Sequence, residues 1–360
     1  MSDLFEISAG GDILQEKFSK FKTPGYPYPV YANALANLGL YGYASYYKVD
    51  VPSITVTGRG DVGHAIARFE KFVPIVRLLT LIPKGIQNIK FFAEAINNTK
   101  IFMESTGVPQ LTSPQLGQVK VFCPTLPEQQ KIADFLSLVD ERIEKQRQLV
   151  EVLKRYKRGL FSSIYSAKQL NWKSVCVGDF SKVYGGYAFD SKKYSESGKY
   201  NVLTIGNVSG NRYADIESCN AVEEMPVDIQ QYQILQPDDL VVSMTGNVGR
   251  VSIVNQDDCL LNQRVAKLDI KDSTIREYIY QVLSCSKFEQ EMNNVGQGAA
   301  QKNIKNSDIE NFIFYIPENN TELNTLARLF LGLDNIILKQ EQQLAKLMQS
   351  KQSLLQQMFI

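Results

Sequence analysis

LPEQQKIADFLSLVDERIEKQRQLVEVLKRYKRGLFSSIYS, the stretch from Leu126 to Ser166, sets how the rest of the chain is read. Pro127 suits the first position of a helix, where a missing N–H costs nothing, and Glu128 complements the positive end of the helix dipole. No glycine or proline follows until Gly159. Apolar residues recur at steps of three and four: Leu136, Val139, Ile143, Val150, Leu153 and Leu160, with Gln146 and Lys157 completing the seam. The spacing predicts one long helix, on the order of 50 Å at about 1.5 Å per residue.

Adding 194 to each number gives a second seam of the same kind: Phe330, Leu333, Ile337, Gln340, Leu344, Leu347, Lys351 and Leu354. Both polar interruptions return in place, Gln146 as Gln340 and Lys157 as Lys351. The lead-in Leu126-Pro127-Glu128 returns as Ile316-Pro317-Glu318, with four extra residues before Asp334 takes the place of Asp140. Matching seams in one chain most simply pack on each other as a coiled coil. Two unrelated surface helices would have no reason to share a seam glutamine, because a lone polar residue there lowers stability and sets register.

The globular segments repeat as well. Asp3-Leu4-Phe5-Glu6-Ile7-Ser8-Ala9-Gly10-Gly11 has its counterpart in Asp179-Phe180-Ser181-Lys182-Val183-Tyr184-Gly185-Gly186, a strand ending in a glycine pair. Residues 171–178 precede the second copy, whereas only Met1 and Ser2 precede the first, so the opening of the first copy reads as cut short. Ser53-Ile54-Thr55-Val56-Thr57 followed by Gly58, Gly60 and Gly63 formally matches a dinucleotide-binding fingerprint. The repeat argues against it. Val241 to Gly249 keeps the strand, the Thr-Gly and the Val-Gly but shortens the loop by two, and Arg250 to Val254 alternate as a strand rather than a helix. The glycines therefore make a β-turn, with Arg59 in one copy and Asn247 or Arg250 in the other held outward. A nicotinamide-dependent oxidoreductase would rest on those three glycines alone.

Further candidates lie in loops. Three prolines within Pro24 to Pro29 forbid regular structure there. Tyr26, Tyr28 and Tyr31 in that segment could stack on bases or hydrogen-bond phosphates, or equally be buried aromatics with wet hydroxyls. Helical patches near Lys90–Glu104 and Ile275–Met292 each end in a glycine-containing loop, 107–110 and 298–301. The segment 297–306, with Lys302 and Asn303, is small, polar and basic, which suits either phosphates and base edges or a plain solvated connection.

Composition narrows the chemistry. At 360 residues and 44% hydrophobic content, the chain can bury two medium cores. No apolar run approaches the ~18 residues of a membrane span and no signal peptide is evident, which points to a cytoplasmic chain without membrane contact. Five scattered cysteines without a CxxC pair argue against disulfides and zinc, and a single histidine, His64, removes most metal and acid–base constellations. No P-loop, methyltransferase motif or nuclease carboxylate cluster stands out, so neither a cofactor nor a catalytic set is expected. The net charge of +1 is unevenly spread: +3 over residues 1–126, +3 over 127–168, −5 over 169–316 and zero over 317–360.

The layout, with Leu-Pro-Glu-Gln-Gln-Lys-Ile-Ala-Asp-Phe-Leu at 126–136 and Lys157-Arg158-Gly159-Leu160, resembles the specificity subunits of type I restriction–modification systems over essentially the whole chain. The second helix follows that pattern less closely, with Asn319-Asn320 where the first has Gln129-Gln130. The resemblance implies an α+β chain: two pseudo-symmetric mixed α/β target-recognition domains (1–126 and 168–316) separated by two long helices (127–167 and 317–360) forming an antiparallel coiled coil. It further implies that each domain reads one half of a bipartite, asymmetric target on double-stranded DNA. DNA methyltransferase subunits would dock on the helices, and restriction or translocase subunits would join them. Under that implication the DNA-contact candidates are Tyr26, Tyr28, Tyr31, Arg59, Asn247, Arg250, Lys302 and Asn303. A coiled-coil scaffold that binds only proteins is the other reading of the helices and of the acidic second domain.

Overall fold

A computed structural model describes residues 1–99, 101, 110–168, 172–195, 197–296 and 302–359. The glycine loops expected at 107–109 and 297–301 lie outside those residues. The chain divides into two compact units, Met1–Arg147 with Gln342–Ile360, and Gln148–Glu341. Each unit thus contains part of both long helices. Among the described residues no helix is long and apolar enough to cross a membrane.

Unit one is built on a four-stranded antiparallel sheet in the order Phe5–Ala9, Leu78–Pro83, Ser53–Thr57, Ala65–Arg68. Every residue of the interior strand Ser53–Thr57 is buried. Burial on both faces favours such β-branched residues, which fit a pleated surface. The helix Ile89–Asn98 packs with it through Phe91, Phe92 and Ile96 and is started by Asn88, whose side chain accepts from Phe91 N at 3.0 Å. A second sheet joins Phe18–Ser19, Leu40–Ala44, Tyr28–Tyr31 and Val73–Pro74, the last two parallel.

Unit two repeats this plan. Its first sheet runs Val183–Gly185, Val265–Leu268, Leu240–Ser243, Val251–Ile253, all antiparallel, and its second contains the parallel pair Tyr200–Leu203 and Cys259–Leu261. One glycine of each pair has a steric reason, and the match falls on Gly10 and Gly186 rather than on the pairs as written. A Cβ on Gly10 would lie 2.3 Å from Ile75 O, and one on Gly186 would lie 2.2 Å from Asn262 O. Each glycine lets the chain cross hard against a neighbouring backbone on its way from the first sheet to the second.

Unit two also has a strand pair, Trp172–Cys176 against Ile313–Pro317. Residues 119–125, the corresponding stretch of unit one, form no strand. Pro317 therefore ends a strand, whereas Pro127 lies inside a helix that spans Leu126–Lys168. The second long helix starts later, at Asn320, and ends at Met358. Asn319 explains the later start: its Oδ1 accepts from Thr321 N at 2.8 Å and its carbonyl from Leu323 N, the work of an N-cap.

The seam positions of both helices are buried or half-buried throughout, while Leu138, Val152 and Tyr156 on other faces are exposed. In unit one Lys351 Nζ lies 2.7 Å from Asp140 and 3.3 Å from Glu94 of the domain helix. In unit two Lys157 Nζ lies 2.5 Å from Asp334, which also receives Arg212 at 3.0 Å and Gln281 at 2.7 Å. Arg212 in turn pairs with Glu277 at 2.6 Å. Burial pulls the Lys157 ammonium below its usual range and nearby Arg212 adds to the effect, while Asp334 and Glu277 oppose them.

The two ion pairs differ in exposure, and that sets an expected contrast. Asp334 is 7% exposed at its side chain and Asp140 is 46% exposed. Asp334→Ala strands a buried ammonium and should cost about 3–5 kcal/mol. Asp140→Ala leaves Lys351 with Glu94 and partial solvent, and should cost about 0–1 kcal/mol. Denaturant unfolding followed by circular dichroism measures both, and the fluorescence of Trp172, the single tryptophan, isolates unit two. Equal losses would contradict the assignment of Asp334 as the buried tie.

Candidate nucleic-acid interface

In unit one the turn after Ser53–Thr57 is braced from inside. Thr57 Oγ1 accepts from His64 N at 2.9 Å and donates to Asp61 O, and Gly63 N donates to Thr57 O at 2.8 Å. Gly60 and Gly63 adopt φ of +75° and +87°, which suits glycine alone without strain. Ala65 follows in an antiparallel strand, so this is a β-turn and no nucleotide-binding helix follows it. Arg59 is half-buried at its tip and makes no ion pair among the described residues.

Asn33, which the sequence did not single out, fixes the Arg59 backbone. Its Oδ1 accepts from Gly58 N at 2.6 Å and Arg59 N at 3.1 Å, and its Nδ2 donates to Arg59 O at 2.5 Å. A segment 33–39 thereby joins the turn. In it Asn37 and Leu38 both have φ of +51°. Asparagine tolerates that region, but for leucine it costs roughly 1–2 kcal/mol. The segment is closed by Ala32 N donating to Gly39 O at 2.8 Å, and by Arg68 Nη2 donating to Leu38 O at 2.6 Å.

Tyr31 corrects one sequence expectation. It is largely buried and committed to the fold: the Arg68 guanidinium sits 3.6 Å from its ring centre and its hydroxyl donates to Glu70 at 2.5 Å. Burial and the Glu70 hydrogen bond push its phenol up to about 12. Burial opposes ionisation of Glu70, but the Tyr31 hydroxyl and local backbone N–H groups outweigh it and hold the carboxyl below its usual range. Tyr26 and Tyr28 are half-buried, and Tyr28 meets Tyr47 edge-on at 5.0 Å. Lys22, Tyr28, Tyr31, Tyr43, Glu70 and Lys71 are among the residues lining a recess of about 420 Å³ on this face. Lys71 lies 4.5 Å over the Tyr47 ring. Lys22 and Lys71 went unread in the sequence because only the fold brings them beside the tyrosines.

Unit two builds the equivalent turn by the same means and at the same length, which corrects the expected two-residue shortening: Ser243, Gly246 and Gly249 match Thr57, Gly60 and Gly63. Ser243 Oγ donates to Asn247 O at 2.6 Å and accepts from Arg250 N at 3.0 Å, while Gly246 and Gly249 take φ of +73° and +80°. The turn is flanked by residues 302–304: Gly246 N donates to Lys302 O, Ile304 N to Met244 O, and Thr245 Oγ1 to Asn303 Oδ1. Asn247, Lys302 and Asn303 thus come together and are exposed. Arg250 stands somewhat apart, half-exposed and 3.9 Å from Glu289. Lys302 Nζ donates to Asn293 Oδ1 at 2.8 Å.

Among the described residues no group of acidic, cysteine or histidine side chains could hold a metal ion, and the cysteines are free. What the two turns offer is hydrogen-bonding and cationic side chains on rigid backbones, a set suited to recognising a ligand.

Comparison with known proteins places this arrangement. A Mycoplasma pneumoniae protein assigned as a type I specificity subunit is 34% identical over 128 residues, about a third of each chain (36% of this one and 35% of that one). The specificity subunit of the type I restriction enzyme MjaVIII of Methanocaldococcus jannaschii is 22% identical over 256 residues, 65% of this chain and 60% of its own. The fold matches the crystal structure of the specificity subunit from M. genitalium with a TM-score of 0.64 at 15% identity, covering 100% of this chain and 94% of that one. A chain from a structure of type I restriction–modification complex assembly gives 0.54 at 14% identity, covering 98% and 97%. The model of the type I restriction modification DNA specificity domain matches residues 1–155 and again 169–349, and the chain belongs to that family.

Proposed function

We propose that the chain is the DNA-recognition subunit of a type I restriction–modification complex, each unit reading one half of a bipartite, asymmetric target. The observation that carries this reading is the duplicated turn. Thr57 and Ser243 brace the same backbone, yet the side chains they present differ, Arg59 in one and Asn247 with Lys302 and Asn303 in the other. A single chain with repeated domains can meet two half-sites as a two-fold dimer does, but with unlike sequences in the two halves. Arginine suits the O6 and N7 acceptors of guanine, and asparagine the N6 and N7 of adenine.

The chain supplies specificity and leaves the chemistry to methyltransferase and restriction or translocase subunits beside it in the cytoplasm. We further infer that the two long helices pair antiparallel. Lys351–Asp140 and Lys157–Asp334 are the same pair with the helices exchanged, since each residue of one becomes a residue of the other on shifting by 194. Such reciprocity is what a two-fold axis through an antiparallel pair demands.

The test is methylation mapping with and without this gene, together with a mobility shift in the presence of the methyltransferase subunits. No change in methylated sites and no sequence-specific shift would overturn the reading. Variants refine it. Arg59→Ala should relax one position of one half-site, at about 1–3 kcal/mol of lost discrimination, and Asn247→Ala or Asn303→Ala one position of the other. If Arg59→Ala altered both halves, the two units would not read independently.

The helices carry a second expectation, a ruler. One heptad inserted after Gln146 and one after Gln340 keeps both seams in phase. Each lengthens its helix by about 10 Å. At about 3.4 Å per base pair, the gap between half-sites should grow by roughly 3 bp. The half-site sequences themselves should stay unchanged in methylation maps. An active variant that keeps the original gap would sink the ruler.

A further inference from the structure

Leu38 in unit one is held in an unfavourable conformation and pointed at solvent. It is 63% exposed, with φ of +51° and ψ of +30°, a region where glycine or asparagine is the usual tenant. The apparatus beneath it is elaborate for a surface loop. Arg68, 5% exposed, gives Nη2 to Leu38 O and Nε to Thr55 Oγ1, and stacks on Tyr31, which is itself pinned by Glu70. Strain held in place by buried polar contacts, here through the Leu38 carbonyl, points to function at that position. Leu35 and Leu38 stand with Asp61 and His64 on one side of an open groove of about 1140 Å³ that the domain helix and the long-helix segments of unit one also line, and Asn33 ties the same segment to the backbone of Arg59.

We propose that Leu38 is a specificity-determining residue, reading the 5-methyl group of a thymine in the half-site bound by unit one. The inference rests on the DNA-recognition reading and adds to it a base and an atom. An isobutyl group and a guanidinium on one rigid platform suit the major groove. Its floor displays the thymine methyl beside the acceptors of guanine, whereas the minor groove displays no methyl at all. The methyl is the one apolar feature that a leucine can distinguish there.

The probe is the mapped target duplex with single thymines replaced by deoxyuridine, which deletes the methyl and leaves base pairing intact. The full chain with its methyltransferase subunits should bind one such duplex, substituted in the unit-one half-site, roughly fourfold more weakly, as one methyl's worth of lost burial implies. Leu38→Ala should bind that duplex and the parent equally, and should behave as wild type towards every substitution in the other half-site. Leu38→Gly should also lose the discrimination but raise the Tm, because it relieves the backbone; a merely structural leucine would lower it. Three results would overturn the proposal: no sensitivity to deoxyuridine in that half-site, sensitivity that persists in Leu38→Ala, or a lower Tm in Leu38→Gly. A complex with no sequence-specific binding defeats the DNA reading itself, while one that binds its target but ignores every exchange defeats only the role of Leu38.

Discussion

Asp334 is a carboxylate almost without water, and it survives there because Lys157, Arg212 and Gln281 converge on it. Charges taken out of water cost several kcal/mol each unless geometry and hydrogen bonds offset the loss. The offset here comes from three separate parts of unit two: the end of the first long helix, the loop carrying Arg212, and the domain helix Ser273–Leu283 carrying Gln281 and Glu277. A hydrophobic contact would tolerate sliding by a turn of helix. A carboxylate shared by a lysine, an arginine and an amide does not. Within each unit, therefore, the ionic tie defines where the domain helix stands on the long-helix segments. Lys351 does the same work more cheaply in unit one, with Glu94 supplied by its domain helix.

With the frame so fixed, the turns become rigid without being apolar. Thr57 and Ser243 satisfy the backbone of a tight loop from within, so that no side chain at its tip is needed for closure. Tip residues are then free to vary between the units, and they do. The same economy explains Asn33, which spends its whole amide on the backbone around Arg59 and leaves the guanidinium uncommitted.

Much of this was legible in the sequence because it is periodic or repeated. The helix seam and the duplicated strands follow from local rules applied twice, whereas the sequence matched the turns two residues out, Thr245 standing at the place of Arg59 rather than of Thr57. What escaped is long-range. Arg68 lies 37 positions from Tyr31 and is an unremarkable cation in sequence, yet it buries itself against the ring and turns a candidate ligand residue into a structural one. Glu277 and Arg212 gave no signal of burial, because charged residues stay inside only when paired and pairing is not written locally. Pro317 misled by analogy: its counterpart Pro127 opens a helix, whereas its own partner strand, Trp172–Cys176, draws it into a sheet. Leu38 could not have been found at all without its φ.

The acidic balance of residues 169–316, the main compositional objection to DNA binding, takes a different form once the ion pairs are placed. In unit two Arg212, Lys267, Lys271 and Arg276 are each paired with a carboxylate of the same unit. Among the described residues the ion pairs of unit one instead fall on its helices, leaving Lys22, Arg59 and Lys71 outside any salt bridge. Contacts to phosphates follow from uncommitted cations, and they carry the salt-dependent, sequence-independent share of affinity. On the proposed reading both units can supply that share, since Lys182, Lys192, Lys193, Lys302 and Lys305 of unit two also lie outside any salt bridge among the described residues. On that reading Asn247 and Asn303 add neutral amides beside Lys302, suited to base edges rather than to phosphates. Net charge per domain is thus a poor guide to which half of the chain meets DNA, because it counts cations already committed to carboxylates inside the fold.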